Sequence, residues 1–234
     1  MHDRLKTNLE NVEARIAEAA RQSGRARNEI RLVAVTKYVD ALTAALLVDL
    51  GCLDLGESRP QVLWEKAAAI PNPDVRWHLV GPLQRNKIRR TLPIAALIHS
   101  IDSFHLAESI DRIAKELHRS IDVLLEVNVS SEATKQGLLA GQVERELQAL
   151  AQLSSVRVCG LMCLSGLASD RSQKHREFAG LRELRDRVRQ VAPQGRQLQE
   201  LSMGMSDDFE LAIAEGATIV RLGSILFADS HPLA

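Results

Sequence analysis

Cysteine is scarce in this chain: Cys52, Cys159 and Cys163 are the only three in 234 residues. They form no C-x-x-C pair and no zinc-type spacing, and so sparse and odd a count fits a reducing cytoplasm better than a disulfide framework. Aromatic residues make up only 3% of the chain, which leaves few platforms for stacking nucleic-acid bases. Net charge is absent as well, thirty basic residues facing thirty acidic ones, so no bulk positive field recruits nucleic acid. No uninterrupted apolar run approaches the roughly 20 residues of a membrane span. The charged stretch from Met1 to Arg25 lacks the apolar core of a signal peptide. The seven histidines show no metal-ligand spacing. No Pro/Gly/Ser linker or low-complexity segment divides the chain. The expectation is a soluble, cytoplasmic protein of one domain, residues 1–234, without metal, membrane or nucleic-acid partners.

What is present is a regular alternation of two textures. Leu5, Leu9, Val12 and Ile16 recur at steps of four and three among charged residues, which predicts an amphipathic helix ending near Gly24. Runs rich in Val, Ile and Leu follow at Ile30–Thr36, Cys52–Leu55, Arg76–Val80, Leu97–Ile101, Val123–Val129, Val156–Leu164, Leu198–Met203 and Thr218–Phe227. Helical periodicity fills most gaps between them. Phe104–Leu117 reads as a helix behind a cap at Asp102 or Ser103, and His175–Val191 as another, stopped by Pro193. Strand–helix alternation demands parallel strands buried on both faces, and eight units are what a closed (β/α)₈ barrel of the TIM type needs. A doubly wound open sheet is the rival, but it more often uses five or six strands.

Barrel enzymes carry function where strands end, at the C-terminal face. The first apolar strand runs into Lys37. A lysine at such a mouth is expected to be partly desolvated and nucleophilic, as a Schiff-base lysine must be. The plainer alternative is a snorkelling surface lysine. The last two strands bear Leu201-Ser202-Met203-Gly204-Met205-Ser206 and Arg221-Leu222-Gly223-Ser224. Loops after the seventh and eighth strands of barrels often bind phosphate, and Ser hydroxyls with Gly backbone N–H groups are suitable ligands. Gly204 and Gly223 could instead simply permit tight turns. Asp207 and Asp208 would repel a phosphate and are expected to cap a helix over Asp207–Ala214. A strand-end lysine opposite two Ser/Gly loops outlines a pyridoxal 5′-phosphate site.

Seven segments in fixed order then make the chain recognisable. They are Leu32-Val-Ala-Val-Thr-Lys37, Leu55-Gly-Glu-Ser-Arg59, Trp77-His-Leu-Val-Gly-Pro-Leu-Gln-Arg-Asn-Lys87, Glu126-Val-Asn-Val129, Gly160-Leu-Met162, Leu201-Ser-Met-Gly-Met-Ser-Asp-Asp208 and Val220-Arg-Leu-Gly-Ser224. Together they resemble the pyridoxal phosphate homeostasis protein family, related in fold to the N-terminal domain of alanine racemase. The resemblance implies a barrel with an extra N-terminal helix and the cofactor as a Schiff base on Lys37. It also implies that Ser202, Gly204, Gly223 and Ser224 approach the phosphate while Arg221 faces the pyridine nitrogen. Where the family reads Glu-Asn-Arg, this chain reads Glu57-Ser58-Arg59, so a contact from Ser58 to the ring would pass through water. His78 and Asn128, near the ends of the third and fifth strands, are candidates for the ring or O3′. Their alternatives are a hydrogen-bonded core histidine and a turn-forming amide. Met162, Trp64 and Trp77 read as packing residues. Arg85, Lys87, Arg89 and Arg90 read as a solvated helix face that also draws anionic cofactor inward.

Carrier and enzyme readings differ in what else they need. An arginine beside the pyridine nitrogen opposes its protonation and makes the ring a poorer electron sink. A racemase needs a second acid/base, in alanine racemase a tyrosine from a C-terminal domain. Only Ala228–Ala234 follow the last strand, and the one tyrosine, Tyr38, is expected to point away from Lys37. The reading is therefore a monomeric carrier in vitamin B6 and amino-acid homeostasis, without substantial catalysis, serving amino acids or pyridoxal-phosphate-dependent apoenzymes. The alternatives are an amino-acid racemase and a cofactor-free Schiff-base aldolase acting through Lys37.

Overall fold

The structure, a computed structural model, describes residues 1–130, 136–166, 169–191 and 198–228. It opens with helix α1 (His2–Gln22), which buries Leu5, Leu9, Val12 and Ile16 as their spacing requires. Gly24 then breaks it in the left-handed region, at φ +68°. Strands and helices follow in alternation: β1 (Arg31–Val35), α2 (Ala41–Asp49), β2 (Asp54–Glu57), α3 (Pro60–Ala69), β3 (Arg76–Leu79), α4 (Ile88–Thr91), β4 (Ala95–Ile101), α5 (Phe104–Glu116) and β5 (Ile121–Asn128). The second half contains β6 (Leu138–Leu139), α6 (Val143–Leu150), β7 (Val156–Met162), α7 (Arg171–Val191), β8 (Glu200–Ser202), α8 (Phe209–Ala214) and β9 (Ile219–Leu222).

Eight strands pair in parallel and close on themselves in the order β1-β2-β3-β4-β5-β7-β8-β9, with β9 returning to β1. This is the expected (β/α)₈ barrel. The short β6 hangs on β5 outside that ring and gave no apolar run to read. Closure pairs every strand of the ring on both sides and leaves the barrel itself no edge. Apolar residues divide between two regions. The larger cluster lies between strands and helices, and a smaller one fills the barrel with Val33, Leu97, Leu124, Met162 and Ile219. Alternation along the strands therefore points His78, His99, Glu126, Ser202 and Arg221 into the barrel as well.

Three boundaries differ from expectation for physical reasons. The last strand stops at Leu222, because Leu226 N–H bonds back to Gly223 O and Phe227 N–H to Ser224 O in a turn. Helix α7 starts one turn early, because Asp170 and Gln173 exchange reciprocal side-chain-to-backbone bonds, a capping box. Helix α8 starts at Phe209, and Asp208 makes no side-chain cap bond to it. Pro193, expected to stop α7, lies outside the described residues. Ser103 holds the N-cap position of α5 but bonds Asp102 Oδ1 rather than the helix. No helix among the described residues is long and apolar enough to cross a membrane. The three cysteines are free.

Candidate functional site

Strand β1 ends one residue before a turn closed by Val39 N–H on Thr36 O, 3.0 Å. The turn ejects Lys37, which is exposed rather than partly desolvated as its strand-end position suggested. It also interrupts the alternation that was to send Tyr38 away. The Lys37 Nζ sits 4.7 Å from the Tyr38 ring centroid, and Tyr38 is 72% exposed. Beneath the turn lies a buried clip. Thr36 Oγ1 donates to Glu57 Oε1 at 2.5 Å, and Lys66 Nζ on α3 donates to Glu57 Oε1 at 2.5 Å and to Thr36 O at 2.6 Å.

The Ser/Gly loops follow β8 and β9, and β9 pairs directly with β1, so they flank Lys37 in the barrel wall rather than face it from the far side. Gly204 adopts φ +91°, and a Cβ there would stand 2.7 Å from Ala212 Cβ. Only glycine fits that position. A Cβ on Gly223 would stand 3.0 Å from Val35 O, so the last loop lies against the end of β1. Ser206 Oγ accepts from Gly223 N–H and Ile225 N–H, both at 3.4 Å, tying the two loops together. Asp208 holds the first loop from behind, accepting from Met205 N–H at 2.7 Å, Ser165 Oγ at 2.8 Å and Lys174 Nζ at 3.1 Å.

Ser202 was expected at the phosphate, but it ends β8 facing inward, fully buried. Its hydroxyl accepts from Arg221 Nη1 at 2.6 Å and lies 2.9 Å from His99 Nδ1. A hydroxyl so occupied has nothing left for a phosphate, and Ser206, four residues on, has the position that Ser202 lacks. His78 was expected at the ring or O3′. It is buried at the level of the strand beginnings, with Nε2 2.9 Å from Asp54 Oδ1 and Nδ1 2.9 Å from His99 Nε2. It is the hydrogen-bonded core histidine of the plainer alternative. Ser58 follows β2 in a bend and is half-buried. Asn128 ends β5 and accepts from the Ser130 hydroxyl at 3.1 Å. Ser224 is exposed in the last loop. The structure thus brings Lys37, Gly204, Arg221, Gly223 and Ser224 together on three consecutive strands, and leaves His78 out.

Arg221 was expected at the site but its surroundings were not, and Glu126 escaped the sequence reading. Arg221 is 4% exposed, donates from Nη2 to Cys163 O at 2.8 Å, and has no carboxylate ion pair among the described residues. Burial works against its charge, yet a guanidinium stays protonated. Glu126 faces inward from β5, and burial holds its carboxyl above the usual carboxylate range, with Asp102 adding to the shift and Arg221 opposing it. A carboxylate in the family-like segment at the barrel mouth was the signal available for it.

Burial depresses both interior imidazoles below their ordinary pKa of 6.5, His99 well below it. Acid then favours the unfolded chain, which takes up protons below about 6.5 while the folded barrel does not. Each histidine should cost up to about 1.4 kcal/mol of stability per pH unit below that point. Asp54 acts in a separate window: burial raises its pKa, but bonds from His78 and Arg76 outweigh that and hold it below 3.8. Thermal unfolding of the apoprotein at pH 7.5, 6.5 and 5.5 should show a falling midpoint, and a flat profile would sink the neutral pair.

The whole chain has known relatives. The alanine racemase N-terminal domain model matches residues 7–231. The pyridoxal phosphate homeostasis protein of Aquifex aeolicus is 37% identical over 221 residues, covering 94% of this chain and 96% of the relative. That of Pseudomonas aeruginosa is 36% identical, covering 95% and 94%. The chain belongs to the pyridoxal phosphate homeostasis protein family. PipY of Synechococcus elongatus, solved with PLP bound, superposes with a TM-score of 0.81 at 38% identity, covering 91% of this chain and all of PipY. A Bifidobacterium adolescentis protein of unknown function superposes at 0.91 and 36% identity, covering 97% and 95%. Alanine racemase of Clostridium difficile shares the fold at TM-score 0.81 but only 17% identity.

Proposed function

We propose that this chain is a one-domain, monomeric carrier of pyridoxal 5′-phosphate in vitamin B6 and amino-acid homeostasis, holding it at the C-terminal mouth of the barrel. The observation that carries this reading is the convergence of Lys37, the Gly204–Ser206 loop and the Gly223–Ile225 loop on three neighbouring strands, with the Arg221 guanidinium inside them. Pyridoxal phosphate supplies an aldehyde that condenses with an amine and a ring that withdraws electrons. Lys37 offers that amine, exposed and beside Tyr38. The two loops offer glycine backbone where no side chain fits and the hydroxyls of Ser206 and Ser224 for the phosphate. Arg221 takes the pyridine nitrogen, with Ser58 just after β2, which adjoins β1, and Asn128 at the end of β5, farther round the mouth. The PLP-bound structure of PipY and the names of the relatives support the reading.

The carrier role follows from what stands beside the ring. A permanent cation there disfavours ring protonation and weakens carbanion chemistry. An exposed lysine at an open mouth suits release to another amine, either an amino acid or a pyridoxal-phosphate-dependent apoenzyme. Borohydride reduction of the holoprotein followed by peptide mapping should place the cofactor on the peptide containing Lys37. Incubation with single amino acids in deuterated water should give no Cα–deuterium exchange at enzyme-like turnover. Fast exchange would replace the carrier with a racemase, for which Tyr38 and Glu126 are the acid/base candidates. Colourless protein that no added cofactor colours would turn the reading to a Schiff-base aldolase.

A further inference from the structure

A line of polar side chains crosses the barrel from its N-terminal rim to Arg221. Arg221 Nη1 lies 2.6 Å from Ser202 Oγ, Ser202 Oγ 2.9 Å from His99 Nδ1, His99 Nε2 2.9 Å from His78 Nδ1, and His78 Nε2 2.9 Å from Asp54 Oδ1. All five residues are buried. At the rim Arg76 grips Asp54, donating from Nε to Oδ1 at 2.8 Å, and both line a cavity of about 600 Å³ on the N-terminal face.

The chemistry of the ends fixes every proton between them. Arg221 can only donate, and an ionised Asp54 can only accept. With both imidazoles neutral, one arrangement satisfies the line. Ser202 Oγ–H donates to His99 Nδ1, His99 donates from Nε2 to His78 Nδ1, and His78 donates from Nε2 to Asp54. Every N–H and O–H then points from Arg221 toward Asp54, and every acceptor end faces the guanidinium. Such aligned bonds polarise one another in a low-dielectric interior.

We propose, resting on the reading above, that His99, His78 and Asp54 are positioning residues that aim and charge-stabilise Arg221 for the pyridine nitrogen. The line explains why Arg221 needs no adjacent carboxylate. A carboxylate in contact would neutralise the guanidinium and compete for its free N–H groups. Glu126 and Asp208 act on the guanidinium without contact, the line adds Asp54 at the far rim, and the N–H groups not engaged by Ser202 and Cys163 stay available to the cofactor. Removing a link frees Arg221 to turn, so an alteration inside the barrel is read at its mouth.

The test uses full-length holoprotein carrying His99→Leu, His99→Gln or Asp54→Asn. Readouts are the position of the cofactor's visible band, the rate of cofactor loss on dilution, and the apoprotein midpoint. Leucine removes both the acceptor and the donor, so His99→Leu should move the band and release cofactor roughly 10- to 100-fold faster, the usual worth of a hydrogen bond to a charged group. Glutamine keeps an acceptor followed by a donor, and His99→Gln should stay within about 3-fold of the wild type. Asp54→Asn, at the opposite end of the barrel, should shift the band in the same direction as His99→Leu. An unmoved band and wild-type release in His99→Leu, with only the midpoint lowered, would show a purely structural line and overturn the proposal. Should His99→Leu not fold, an unmoved band and release rate in Asp54→Asn overturn it equally. Failure of the underlying reading looks different: wild-type protein would then carry no borohydride-fixed cofactor on Lys37.

Discussion

Lys37→Ala protein should purify colourless and stay colourless when pyridoxal phosphate is added, with its fold intact. Retention of the fold follows from how little Lys37 holds. It is exposed, in a turn, and its one noted contact is the Tyr38 ring at 4.7 Å. An exposed cation–π contact is worth about 0.5–1 kcal/mol, so the midpoint should fall by no more than a few degrees for a chain of this size. Loss of colour follows from the lack of a freely placed substitute amine among the described residues. Lys66 is the nearest by topology, but it is 4% exposed and spent on Glu57 and Thr36 O. Lys174 is paired with Asp208. Lys87, in the segment after β3, is half-buried with its Nζ 5.7 Å from the Trp64 ring, and among the described residues is the one competitor at the same face. Absorbance spectra of Lys37→Ala and of Lys37→Ala/Lys87→Ala decide the matter. A band that survives in the first and disappears in the second would move the cofactor to Lys87. A band that survives both would leave the site proposed at Lys37 without support.

The barrel was legible because its strands are parallel and buried on both faces, which writes them as near-continuous apolar runs such as Leu32–Val35. Lys37 was legible for the same reason: the run ends and a charge follows. What escaped reading depends on closure. His78, His99 and Ser202 stand on β3, β4 and β8, and alternation alone says only that each faces inward. Their meeting is decided by barrel curvature, which brings residues 103 positions apart, His99 and Ser202, within 2.9 Å. The same blindness placed Ser202 rather than Ser206 at the phosphate, since the choice turns on where β8 stops and on Gly204 turning left-handed just after. It also placed the loops opposite Lys37, because neighbourhood of the first and last strands exists only once the sheet closes. Asp170-x-x-Gln173 is a different case: that capping box was visible and marks the true start of α7.

Lys66→Met should be the most destabilising single substitution in the clip beneath Lys37, costing about 3–5 kcal/mol, because it strands Glu57 as a buried uncompensated charge. Glu57 is fully buried, and its Oε2 has no hydrogen-bond partner among the described residues. After the substitution only the Thr36 hydroxyl would serve the carboxylate. The methionine fills the lysine stem's volume, so cavity formation adds little to the loss. Chemical denaturation with urea should therefore show a lowered midpoint at unchanged slope. Replacing both partners, Glu57→Leu with Lys66→Met, should recover most of the loss, since apolar pairs of similar volume substitute well for buried ion pairs. A single-variant loss below about 1 kcal/mol would mean the pair behaves like a solvated surface bridge, contrary to its burial. The same variants bear on the site. Lys66 holds the Thr36 carbonyl, which belongs to the peptide bond leading into Lys37. If the clip sets the direction of that turn, Lys66→Met at temperatures where it remains folded should also bind pyridoxal phosphate more weakly. Glu57→Leu/Lys66→Met, stable again but without the hold on Thr36 O, should remain weak, which separates orientation of the lysine from stability of the barrel.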